Sequence, residues 1–121
     1  MRGIILMLMV LFTAAGPVLA GEANVLDVDV VKTGAESFTF SVTVKHDDSG
    51  WEHYADKWEI IGPNDAILGT RTLYHPHVDE QPFTRRLTNV SVATTVRQVS
   101  VKAHCSVHGY GGEKNTVSLP H

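Results

Sequence analysis

"SFTFSVTVKHDDSGWEHYADKWEI", Ser37 to Ile60, decides the fold. Phe38, Phe40, Val42 and Val44 alternate with Thr39, Ser41, Thr43 and Lys45, a period of two that marks a strand with one buried face. His46 continues the apolar face by one step, toward the interior. Asp47-Asp48-Ser49-Gly50 then reads as a turn, and a second strand follows with Tyr54, Trp58 and Ile60 as its core set. That phase leaves His53 out of step with the core unless it still belongs to the turn.

Outward from this hairpin the same alternation recurs, and no segment carries a 3.6-residue stripe. Strands are expected at Val25 to Lys32, Ser37 to Lys45, Tyr54 to Ile61, Ala66 to Tyr74, Phe83 to Val92, Arg97 to Cys105 and Lys114 to Leu119. Gly, Pro, Asn and Asp clusters such as Gly62-Pro63-Asn64-Asp65 and Gly109 to Gly112 punctuate them. Seven short strands at this spacing predict an all-β fold, a seven-stranded immunoglobulin-like antiparallel β-sandwich.

The first twenty residues read differently. Arg2, an apolar run from Ile4 to Phe12, Pro17 and the small-residue ending Val18-Leu19-Ala20 have the form of a secretory signal peptide cleaved after Ala20. The expected organisation is therefore a signal peptide, 1–20, and a single sandwich domain, 21–121. The apolar run is shorter than the roughly 20 residues of a spanning helix, so no membrane span is expected. A secreted product, in the bacterial periplasm, follows. Residues 21–121 hold nine Lys or Arg and thirteen Asp or Glu, with no basic block, which argues against nucleic acid as a partner. No G-x-S-x-G, phosphate loop or paired-carboxylate motif is present to support a hydrolase or nucleotide function.

The strand order has a chemical consequence. If successive strands run antiparallel, the connections after the second, fourth and sixth strands lie at one end of the sandwich. They carry His46 with His53, His75 with His77, and Cys105 with His108, whereas the connections at the other end carry no histidine. Loops at one end of a rigid sandwich are where sites are built. In the sixth strand Val99, Val101 and Ala103 share a face that Cys105 continues, while His104 points the opposite way and reads as a surface residue. Cys105 is the only cysteine, so it cannot form an internal disulfide. A buried thiol, an intermolecular linker and a metal ligand all remain open for it.

Two motifs carry a family resemblance: "HDDSGWEHYADKWEI", His46 to Ile60, and "CSVHG", Cys105 to Gly109. They resemble the ligand motifs of the ferrous-iron domain of desulfoferrodoxin and neelaredoxin, the superoxide reductases, whose fold is an immunoglobulin-like sandwich. The resemblance implies His46, His53 and His108 as imidazole ligands and Cys105 as an axial thiolate. Asp47 stands where the family has proline, and the family's N-terminal E-K-H ligand loop has no counterpart around Asn24 to Asp29. His75 or His77, flanking Pro76, is the candidate to replace the missing imidazole. The stretches "GWEHYADKWEI", "HPHVDEQPFTR" and "VHGYGG" are also similar to those of uncharacterised exported bacterial proteins.

Imidazoles with one thiolate suit a transition metal ion, iron or copper, with zinc as a further candidate, and not Ca²⁺ or Mg²⁺. The sequence thus predicts an exported metal-binding sandwich, with metal at His46, His53, His75, His77, Cys105 and His108. A periplasmic redox or acceptor protein is the partner such a site would serve. A superoxide reductase-like iron enzyme and a metal-free interaction module, docking through the loops at Tyr74 to Arg86 and Gly109 to Gly112, are the alternatives.

Overall fold

The computed structural model describes residues 21–121, so the predicted signal peptide lies outside the described residues. Seven strands follow in order: β1 (Asn24–Gly34), β2 (Ser37–Lys45), β3 (Ala55–Ile61), β4 (Ile67–Thr72), β5 (Phe83–Ser91), β6 (Gln98–Cys105) and β7 (Asn115–Ser118). A single 3-10 turn, Pro63–Asp65, links β3 to β4. One sheet has the order β1-β2-β5 and the other β4-β3-β6-β7, and every pairing is antiparallel. This is the expected β-sandwich, with β4 at the edge of the four-stranded sheet beside β3. Among the described residues no helix is long and apolar enough to cross a membrane.

The period-two faces become the core. Phe38, Phe40, Val42 and Val44 of β2 are fully buried against Trp58 and Ile60 of β3 and Val99, Val101 and Ala103 of β6. Each of the buried Phe, Ile and Val side chains contributes about 1.5–3 kcal/mol of apolar burial. The central strands, β2 of one sheet and the paired β3 and β6 of the other, therefore form the rigid body from which the loops project.

One expectation about β3 is corrected. Tyr54 is only half-buried and rests its ring against Trp51, with centroids 5.7 Å apart, while Ala55 takes the core position. The cause is a β-bulge. Ala55 pairs with Cys105 and Trp58 with Ala103, so three steps on β3 match two on β6, and the register shifts between Ala55 and Lys57. The extra residue inverts the side-chain phase ahead of Trp58 and puts His53 in step with buried Ala55. His53 does belong to the turn: it forms an isolated bridge with Gly50, and its N–H donates to the Gly50 carbonyl at 3.2 Å.

Candidate metal centre

At the end of β2 the buried face runs on past the strand. His46 and Asp48 are both buried, two and four residues beyond Val44. Asp48 accepts three hydrogen bonds: from His46 Nδ1 at 2.5 Å, from the Ala55 N–H at 3.0 Å and from the His77 N–H at 2.7 Å. Burial alone would raise the Asp48 pKa, but the bonds from His46, His77 and Ala55 outweigh it and hold the carboxyl below its ordinary value. An ionised Asp48 fixes the proton of His46 on Nδ1. The Nε2 lone pair then faces Cys105 Sγ, 3.2 Å away.

Cys105 ends β6 and is fully buried. The loop after it closes tightly: Cys105 and Gly109 exchange backbone hydrogen bonds of 2.8 and 2.9 Å. Gly109 has φ +71°, a left-handed conformation that glycine adopts without strain, which accounts for the glycine of "CSVHG". The closed loop aims the Val107 and His108 N–H groups at Cys105 Sγ, each at 3.4 Å, an arrangement that stabilises negative charge on sulfur.

His53 completes a group with these two. Ligating atoms of His46, His53 and Cys105 all lie within 4.8 Å of one another. The His53 ring meets His46 edge-on with centroids 4.9 Å apart, and on its other side meets His108 at 5.1 Å. His53 Nε2 is buried and has no hydrogen-bond partner. A buried imidazole nitrogen without a partner costs free energy unless something occupies it. The orphaned nitrogen, the oriented His46 and the sulfur with its two N–H donors fit a borderline or soft transition-metal ion.

The remaining predicted residues lie at the same end, outside that group of three. His108 is exposed and touches the group through its ring contact with His53. His77 is buried, stacked on Phe83 at 4.1 Å with a 12° tilt, and both its ring nitrogens lack a hydrogen-bond partner. Burial, then the charges of Arg85 and His75, lower its pKa, so its ring is held neutral. His75 is exposed, with its ring 4.7 Å from that of His77. His104 points away as expected and bonds Asp56 at 2.6 Å.

Two participants were not foreseen. Asp48 organises His46, and its signal was available: the buried alternation Val42, Val44, His46 simply continues to 48. Gln81 ties two loops together, accepting from the His46 N–H at 3.0 Å and donating to the His77 carbonyl at 2.9 Å. No periodic signal marks it.

No family model matches the chain. Over 96 residues, 79% of this chain, it is 42% identical to a protein of Halomicrobium mukohataei named "Putative lipoprotein", and it spans about half of that relative's length, 47%. Among solved structures it is similar to a hypothetical protein from Pyrococcus horikoshii OT3, with a TM-score of 0.55 at 16% identity over 85% of this chain and 96% of that one. A superoxide reductase in the oxidised state is also similar, with a TM-score of 0.49 at 17% identity over 83% of this chain and 90% of that one. At 16% identity the likeness to the Pyrococcus protein establishes the sandwich fold and nothing further.

Proposed function

We propose that this chain is an exported protein that binds one transition-metal ion through His46, His53 and Cys105, with His108 at the rim. The His46–Cys105–His53 group, with its buried and unpartnered His53 Nε2, carries the reading. Iron, copper and zinc all suit the donors. All three methionines lie at positions 1, 7 and 9, so residues 21–121 offer no axial thioether of the blue-copper kind. The leader-like first twenty residues and the name of the Halomicrobium relative support export, to a bacterial periplasm or an equivalent compartment.

Elemental analysis and metal titration of the purified protein test the reading. The expected result is about one ion per chain, with a chelator lowering the melting temperature by removing a ligand that binds only the folded state. Equal uptake by the wild type and by a Cys105→Ala, His108→Ala double variant overturns it. A melting temperature indifferent to chelator favours the metal-free interaction module.

A second reading, a superoxide reductase-like iron enzyme, draws on the exposure of His108, which leaves one side of the centre open to a small solute. Anaerobic loading with Fe(II) and a superoxide pulse test it. A sample with bound iron that consumes superoxide no faster than free Fe(II) rejects that reading.

A further inference from the structure

The start of β1 is strapped to the β6–β7 connection. The Val25 N–H donates to the Glu113 carbonyl at 2.8 Å, the Glu113 N–H to Asn24 Oδ1 at 2.8 Å, and the Asn24 amide to the Glu22 carbonyl at 3.0 Å. Ala23 and Asn24 are buried, and Gly112 passes so close that a Cβ there would stand 1.9 Å from the Ala23 carbonyl oxygen. This strap delivers Gly21 to the candidate centre. A Cβ on Gly21 would lie 3.2 Å from His108 Nε2, and Gly21 has φ +80°. In the uncleaved chain the positive φ favours glycine here, and the close approach to His108 does so before and after cleavage.

Gly21 is also the residue that cleavage after Ala20 would make the first of the mature chain. We propose that removal of the leader creates a further metal ligand, the α-amino group of Gly21, beside His108. In the precursor this nitrogen is an amide whose lone pair is delocalised into the carbonyl. A leader peptidase would hydrolyse the Ala20–Gly21 bond with one water, leaving the carboxylate on Ala20 and a free amine on Gly21. That amine is a nitrogen donor suited to the same metals as imidazole. The centre is then complete only after export, so the ion is taken up outside the cytoplasm.

This inference rests on the metal-binding reading, and Co(II) titration separates the two. The exported, processed chain is compared with a variant carrying one glycine inserted between Ala20 and Gly21, which displaces the amine by one residue. N-terminal sequencing of the processed chain is expected to begin at Gly21, with Co(II) bound about tenfold or more tightly than by the variant and with a different ligand-field spectrum. The melting temperatures of the two metal-free proteins verify that the fold is kept. A second measurement does not depend on any variant. The α-amine ionises near pH 8 and lysine near 10.4, so acetylation at neutral pH selects the amine. Bound Co(II) is expected to protect Gly21 from acetylation, read by mass spectrometry of the N-terminal peptide. Equal affinities with unprotected Gly21, or a mature chain that begins elsewhere, overturn the inference while leaving the metal reading intact. No Co(II) binding by either protein overturns both.

Discussion

The two halves of the candidate centre are held in different ways. His46 follows the last residue of β2 and Cys105 ends β6; both are buried and are fixed by directional hydrogen bonds through Asp48 and the Cys105–Gly109 loop. His53 and His108 sit in turns, more exposed, and meet each other and His46 through ring contacts. The buried half carries the cost of desolvated polar groups and depends on complete hydrogen bonding. The turn half is held by ring contacts without directional hydrogen bonds, and its buried His53 Nε2 is free to adjust to an ion. A mutation in the first half should therefore misalign the site or lower the stability of the fold, most of all where it strands buried donors, and one in the second should alter metal capture with little effect on the fold.

The largest expected effect is that of Asp48→Ala. It strands the Ala55 and His77 N–H groups and His46 Nδ1 without an acceptor, at a cost of about 3 kcal/mol or more, read from chemical denaturation of the metal-free protein. A loss below about 1 kcal/mol would mean that water replaces the carboxylate and that the buried half is no more rigid than the rim. Next comes Cys105→Ala, expected to abolish the thiolate charge-transfer absorption of the Co(II)-loaded protein while the metal-free fold survives. Persistence of that band would place the metal elsewhere. His108→Ala, on the exposed rim, should weaken Co(II) binding by about 10- to 100-fold and change metal-free stability by no more than about 0.5 kcal/mol. Comparable stability losses for His108→Ala and Asp48→Ala would erase the contrast between the halves.

The smallest effects are in the pH dependence. Asp48 has a depressed pKa, so its contribution to stability is present above the ordinary carboxylate range and is lost as pH falls through the lowered value. Buried His77, also depressed, binds a proton more readily when unfolded, so stability should begin to fall as pH drops through about 6.5. His77→Gln should flatten the stability profile near pH 6 and leave the steeper acid limb intact. An unchanged profile near pH 6 would show that the His77 ring is as well solvated as that of His75.

Much of the frame was legible from local pattern. The four-fold repeat of apolar positions in β2 and the Val99 to Cys105 alternation in β6 are sums of neighbouring residues, and burial follows them directly. The gathering of His46, His53, His75, His77, Cys105 and His108 at one end followed from strand parity alone. The phase of His53 did not, because it depends on a bulge fixed by pairing with a strand 50 residues away. Asp48 escaped because acidic residues in a turn usually face water, and only the three donors converging on it from separate segments hold it inside. The closeness of Gly21 to His108 joins opposite ends of the chain and leaves no periodic trace.

The bulge in β3 sets the kind of change this protein can absorb. Asp56 and Lys57 lie between the buried Ala55 and Trp58, and their side chains are only partly buried, so replacing either should disturb packing little. Removing one of them is another matter. A one-residue deletion there would restore a plain ladder and rotate everything ahead of Trp58 by half a pleat, sending His53 to solvent while leaving β3 from Trp58 onward in place. Along this segment length is fixed more tightly than residue type, so divergent relatives that keep the centre should vary in residue type at Lys57, and at Asp56 together with its partner His104, yet align there without a gap.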